Sequence, residues 1–504
     1  MNYPFWDTAT GYGLLMAGIA VFHVFISHFA IGGGLYLVVA ETFARRTRDS
    51  ARLAYLKGLS KFFVLTTLVL GAVTGVGIWF IIGLLNPAAT EMLIHNFVWG
   101  WATEWTFFVV EIAAALIYLY GWDRMAAKDH QIVGWIYFGA AWMSLFIING
   151  ILSFMLTPGT WLATGNFWDG FFNPTFLSSL VLRTGVSILL AGLFSLLVAA
   201  RLKDPSARAA TVRYNTIWGL VGLAVMAPSL LWFWNAIPDS ITQGAVDTMR
   251  LPLQAYEYSW WLAGVLAALL IVFGLLFSRR FSIIVAAVMM ALGLVWFGSF
   301  EWMRESIRKP FVVYDYMYGN ATELALADTY RDTGLLTHIE FRTGDDGADL
   351  FRHACRSCHT IDGYQPLKPA FDGTDPEYIA GIVLGTVALR GNMPPFLGTE
   401  EEAALIGDHI YGLIDQRHLA EITGAEGAEL GKRVYDVRCG RCHVFGGYSD
   451  KAESILGMEA ADLEDLLDMA GDLGEEMPAF TGDDVERAAL IAYLTSLATD
   501  GGQN

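Results

Sequence analysis

Eight stretches of this 504-residue chain, near residues 11–42, 59–86, 97–121, 131–157, 177–201, 214–236, 257–278 and 281–303, are predominantly apolar. Each has the roughly 20 residues that a helix needs to cross a hydrocarbon core. Inside a bilayer the backbone donors and acceptors must be satisfied within the chain, which helices do segment by segment. The expectation is an all-α fold, a polytopic bundle of about eight spans, lying in membrane lipid. With 55% hydrophobic, 14% aromatic and 16% charged residues, the composition also lies outside that of a soluble globular protein.

The loops alternate in charge. Those after spans 1, 3, 5 and 7 hold Arg45, Arg46, Arg48, Arg52 and Lys57, then Arg124 and Lys128, then Arg201, Lys203, Arg208 and Arg213, then Arg279 and Arg280; the opposite loops hold only Arg250. The positive-inside rule then places both ends of the bundle on the outer, periplasmic side of a bacterial cytoplasmic membrane. Span 1 lacks a basic leader and is too long for the apolar core of a signal peptide, so it reads as a retained helix. Past about residue 311 the sequence turns polar, Gly-rich and acidic: residues 344–504 hold 30 Asp and Glu against 11 Lys and Arg, whereas the preceding residues hold 20 against 21. That field either keeps an exposed domain soluble or steers a basic partner towards it.

All four cysteines fall in two short motifs of the tail, CRSCH (Cys355, Cys358, His359) and CGRCH (Cys439, Cys442, His443). C-x-x-C-H is the attachment signature of c-type haem, with two thioether links and an axial imidazole. A zinc site or a redox dithiol is the weaker reading, because two such motifs consume every cysteine. Met393 in GNMPPF and Met477 in EEMPAF each follow their His by 34 residues, so the motif is part of an internal repeat and each Met is a candidate sixth ligand. The tail resembles two tandem class-I-type cytochrome c domains, 345–418 and 427–500, joined by a linker, 312–344, to the membrane domain, 1–311. The resemblance implies two covalent haem c groups attached on the outer side.

In the bundle the candidate ligands are few. Of ten histidines only His23 and His28 fall inside spans; His95 is placed in an outer loop and His130 in an inner one. Five residues apart, His23 and His28 point about 140° away from each other around a helix. An ionisable group inside a membrane is costly and is by default a functional candidate. Glu104 and Glu111, seven apart, share a face of span 3, and Glu301 and Glu305, four apart, lie at the outer end of span 8 beside Arg304 and Arg308. Such carboxylates can ligate a metal, carry protons or pair with Arg; Glu301 and His28 remain tentative metal ligands.

The ordered set FHVFISHFAIG, GAVTG, VVEIAAALIYLYGWDRM, IINGILSFMLTP, FFNP and ESIRKPF, over about residues 11–311, resembles subunit I of the cytochrome bd oxidases. GWDR at 121–124 matches fully; in the last motif Lys309 and Phe311 replace Gln and Trp. The resemblance implies that His23 is a haem ligand, that Glu305 ligates the partner high-spin haem, that Glu111 delivers protons, and that Arg308 lies near haem propionates. Glu104 is one residue out of register with a second acid of that kind, and His28 stands where the family has Pro. The family's low-spin haem b ligands, a His in span 5 and a Met in span 7, align with Arg183 and Leu262, neither of which can serve. The loop between spans 6 and 7, long and quinol-binding in the family, is only about twenty residues here (IPDSITQGAVDTMRLPLQAYE).

Loss of the quinol loop and the low-spin haem, with gain of two c haems, predicts a cytochrome c-linked relative of the bd oxidases. Electrons from a soluble donor, such as a basic cytochrome c or a copper protein, would pass through the c haems to two non-covalent high-spin haems, b or d in type, that reduce O2. Reduction of nitric oxide or peroxide, flow from a quinol outwards to the c haems, and a non-catalytic electron conduit remain alternatives. The family also implies a second membrane subunit. No motif or basic patch suggests nucleic acid.

Overall fold

In the computed structural model, residues 6, 8–248, 250–389, 393–474 and 477–500 are described. Eight helices among them are long and apolar enough to cross a membrane: α1 (Tyr12–Arg46), α2 (Ser50–Leu85), α3 (Val98–Gly121), α4 (Ala127–Leu156), α5 (Phe176–Ala199), α6 (Pro205–Ala236), α7 (Leu253–Leu276) and α8 (Ile283–Ser306). Some extend past their apolar runs because polar caps start them earlier. The Asp49 carboxylate accepts from the Arg52 N–H ahead of α2, and Asp204 caps α6, whose first turn opens with Pro205. The segment between α6 and α7, expected as a loop, is largely helical, with one helix over Asp239–Thr248 and another resuming at Arg250.

The chain divides into two compact units, residues 16–83 with 90–308, and residues 1–15 with 84–89 and 309–504. In the first, small residues set the helix crossings. A Cβ on Gly32 of α1 would lie 1.8 Å from the Ser187 carbonyl oxygen of α5, and one on Gly222 of α6 would lie 2.4 Å from the Leu189 nitrogen of α5. Without side chains there, the backbones approach closely, which is how membrane helices gain packing that lipid cannot supply.

The second unit holds two similar helical modules. Helices α9 (Asp346–Ala354), α10 (Pro376–Leu384) and α11 (Glu400–Tyr411) build the first; α12 (Gly427–Val434), α13 (Ala460–Asp468) and α14 (Asp484–Asp500) build the second. In each, a glycine lets the first helix cross the last: a Cβ on Gly347 would lie 2.6 Å from Leu405 O, and one on Gly431 would lie 1.9 Å from Ala489 O. The segment 312–344 is more than a tether. Its Tyr330, Leu335 and Ile339 are buried in the same core as Leu350, Phe351, Ile379 and Ile406. A buried glutamate fastens it: Glu402, which also closes the capping box at the start of α11, accepts from the N–H groups of Leu335 (2.9 Å) and Leu336 (2.8 Å). Its counterpart Glu486 accepts from the Leu419 N–H at 3.4 Å.

Candidate haem-binding sites

The two C-x-x-C-H loops have one geometry. Each leaves the end of a helix, with the His359 N–H bonded to Cys355 O and the His443 N–H to Cys439 O, both at 2.9 Å. Six residues on, Gln365 and Ser449 both adopt φ 46°, a left-handed conformation uncommon outside glycine. That twist turns each carbonyl onto the preceding imidazole: His359 Nδ1 donates to Gln365 O and His443 Nδ1 to Ser449 O, both at 3.1 Å. Each Nε2 therefore keeps its lone pair, the state an iron ligand needs. Burial pushes the Cys355 and Cys439 thiols up to about 12, so they are not the activated thiolates of a redox dithiol. Met393 and Met477 are half-buried in the loops that precede α11 and α14. These donors fit covalently attached haem.

The first loop rests on the chain that leads into α1. Arg356 donates to Thr8 O at 2.5 Å and stacks over Tyr12, and a Cβ on Gly363 would lie 2.3 Å from Ala9 O. The second loop is bound to the first module through Tyr378 and Arg438, described further below.

In the bundle, Thr74 Oγ1 donates to Leu70 O (2.6 Å) and so accepts from His23 Nδ1 (3.0 Å), which again leaves Nε2 with a lone pair. Gly75 clears the flank of the ring, since a Cβ there would lie 3.0 Å from His23 Cε1. His28 faces the other way, onto Phe297 of α8 with ring centroids 4.7 Å apart. Its Nδ1 donates to Val24 O at 2.8 Å, and its buried Nε2 has no hydrogen-bond partner among the described residues.

Five charges alternate along the C-terminal end of α8. Arg183 meets Glu301 at 2.9 Å, Glu301 meets Arg304 at 3.0 Å, Arg304 meets Glu305 at 2.5 Å, and Glu305 pairs with Arg308. Arg183 is 2% exposed and finds its countercharge in Glu301. The Glu301 side chain is 7% exposed and has both oxygens in ion pairs; that of Glu305, though paired as well, is 45% exposed and open to an approaching group. His23 Nε2 and the exposed Glu305 carboxylate are donors of the kind that ligate haem iron.

Sequence reading missed a buried polar ladder between α3 and α4. His130, expected in a loop, lies in the first turns of α4 and is fully buried, with Nδ1 2.9 Å from both oxygens of Glu41 and Nε2 2.8 Å from Tyr118 O. Glu41 also accepts from Tyr118 (2.8 Å) and Arg45 (2.6 Å). One heptad along, Tyr137 donates to Glu111 at 3.0 Å, and a further heptad along Ser144 donates to Glu104 at 2.8 Å. Tyr118 and Tyr137 border a small apolar cavity of about 10 Å3. The matched spacing of 118, 111, 104 and 130, 137, 144 was the available signal.

Comparison with known proteins agrees with both halves. The family profile described as cytochrome bd terminal oxidase subunit I matches residues 14–260, and that of cytochrome c oxidase, cbb3-type, subunit III matches residues 342–410 and again 426–494. Among solved structures the fold is similar to that of the bd oxidase from Geobacillus thermodenitrificans, at 16% identity and a TM-score of 0.56, over 63% of this chain and 91% of that one. A search of curated proteins finds no match. The eight spans and the haem-type loops define a multi-pass, haem-based respiratory electron-transfer protein. More particularly, residues 14–260 are similar to cytochrome bd terminal oxidase subunit I, and two tandem segments similar to cytochrome c domains follow them.

Proposed function

We propose that the protein is the catalytic subunit of a cytochrome c-linked bd-type oxidase. It takes electrons from a soluble basic carrier on the periplasmic side and uses them to reduce O2, without a quinol site. The observation that carries this reading is the Arg183–Glu301 ion pair at 2.9 Å. By the sequence resemblance Arg183 replaces the His that would ligate a low-spin haem, and the pair gives it a countercharge instead, while the tail would offer two replacement one-electron sites.

Cys355, Cys358, His359 and Met393 would hold one haem c, and Cys439, Cys442, His443 and Met477 the other; His23 and Glu305 would each hold a high-spin haem, and Arg308 would meet the propionates. The c haems supply one-electron carriers, and the high-spin pair supplies iron with an open position for O2. The protein's own part is orientation and proton supply. Thr74 fixes the His23 tautomer, and Gln365 and Ser449 fix those of His359 and His443. Glu111 takes a proton through the hydroxyl of Tyr137, and Glu104 holds the next one beside Ser144. A second membrane subunit would cover the exposed faces of Phe80, Trp99 and Trp261.

The test is O2 uptake by the purified protein, with reduced cytochrome c or a quinol as donor, at several salt concentrations. Rapid uptake with cytochrome c alone, weakened by salt and abolished in His23→Ala, is expected. Uptake with neither donor, in protein retaining all its haems, would overturn the reading in favour of another acceptor or a conduit.

A further inference from the structure

The second haem-attachment loop is clamped to the first module at the residues that precede Cys439. The hydroxyl of Tyr378, a 2% exposed residue of α10, donates to the carbonyl oxygens of Val437 (3.0 Å) and Arg438 (3.2 Å). The Arg438 side chain is 5% exposed and lies over the Tyr378 ring, 5.3 Å from its centroid. Its guanidinium ends on groups of both modules: Glu486 at 2.9 Å, Thr481 at 3.0 Å, Asp375 at 3.5 Å and Gly373 O at 3.5 Å. Thr481 in turn donates to Asp375. A Cβ on Gly381 of α10 would lie 2.8 Å from Pro478, the residue after Met477. One helix of the first module thus touches both the attachment loop and the methionine loop of the second. The position equivalent to Arg438 in the first module is Ala354, so the repeat has not simply copied this joint.

From this joint we infer that electrons would pass between the two modules across the Tyr378–Arg438 contact. Tyr378 and Arg438 are positioning residues for that step. With haem bound to both loops, the step would move one electron, oxidising one haem iron and reducing the other, with the soluble one-electron donor as the source. The Tyr378 hydroxyl joins the first module to the peptide carbonyl bonded directly to Cys439, and Arg438 keeps that peptide from swinging away. This inference rests on the haem attachments proposed above, but it does not depend on the terminal acceptor.

The test uses the full-length haem-loaded protein without O2. A photoreduction pulse delivers less than one electron per chain, and the phase whose rate is independent of reductant concentration reports transfer between the two c haems. Redox titration gives both potentials. Tyr378→Phe keeps the ring and removes only the donor, and Arg438→Gln removes the clamp. Slowing of that phase by about tenfold, equivalent to about 1.4 kcal/mol, is expected in both variants, with covalent haem content and potentials unchanged and partial recovery in Arg438→Lys. Should Arg438→Gln lose the second haem, Tyr378→Phe alone decides. An unchanged rate in Tyr378→Phe with both haems in place overturns the inference and reduces the joint to packing. A wild-type protein lacking either covalent haem would instead overturn the attachment reading on which it stands.

Discussion

Gln365 and Ser449 show how much of a haem site can depend on a residue that touches no haem. Each accepts a φ of 46° so that its carbonyl meets an imidazole Nδ1, and the left-handed conformation costs a side-chain-bearing residue about 1–2 kcal/mol. Because at Gln365 only the carbonyl meets the imidazole, Gln365→Gly should leave the reduction potential of the first haem unchanged and stabilise the module by up to about 1 kcal/mol. Redox titration and thermal melting of the two proteins check this, and a shifted potential would show that the side chain matters. Arg183 and Glu301 invite a double-mutant cycle. Glu301→Gln alone leaves Arg183 buried without its countercharge and should cost about 3–5 kcal/mol, whereas Arg183→Met combined with Glu301→Leu should cost far less than the two singles together. Thermal stability in detergent reads both. Little of this was legible beforehand. The C-x-x-C-H motifs and the 34-residue repeat are local patterns, but the pairing of Arg183 with Glu301 needs α5 and α8 side by side, and spacing along one helix carries no trace of that.

At the scale of elements, the number of spans follows from composition and was readable run by run, whereas their crossings follow from single glycines. Gly32→Val would drive a branched side chain into the Ser187 carbonyl, where even a Cβ comes within 1.8 Å, while Gly18 has nothing within 4 Å of the position a Cβ would take. Gly32→Val should therefore abolish assembly of the bundle, and Gly18→Ala should be neutral, as judged by the yield of monodisperse protein in detergent. The α3–α4 ladder was missed for a related reason. Glu41 lies near the charged end of span 1, where an acid reads as interfacial, and His130 falls just before its apolar run. Only the tertiary approach of α1, α3 and α4 buries both in one network. Within it, His130→Leu strips Glu41 of one of its three partners. The expected result is a loss of about 1–3 kcal/mol, the cost of leaving buried acceptors short of a hydrogen bond, and a thermal midpoint equal to that of the wild type would show the contact to be dispensable.

Across the whole molecule, the segment 312–344 gains a role that composition could not reveal. Polar and Gly-rich, it reads as linker, yet Tyr330, Leu335 and Ile339 complete the core of the first module. The charge balance, 30 acids against 11 bases over residues 344–504, predicts that reduction by a basic donor slows steeply as salt rises, while interhaem transfer stays indifferent to it. Stopped-flow reduction at a range of ionic strengths separates the two. Glu402 grips the segment ahead of its module, and Glu486 grips Leu419, the segment ahead of its own. Each unit is fastened to what precedes it, so dependence runs one way along the polypeptide. Loss of the second module would therefore leave the clasp of Glu402 on the first untouched.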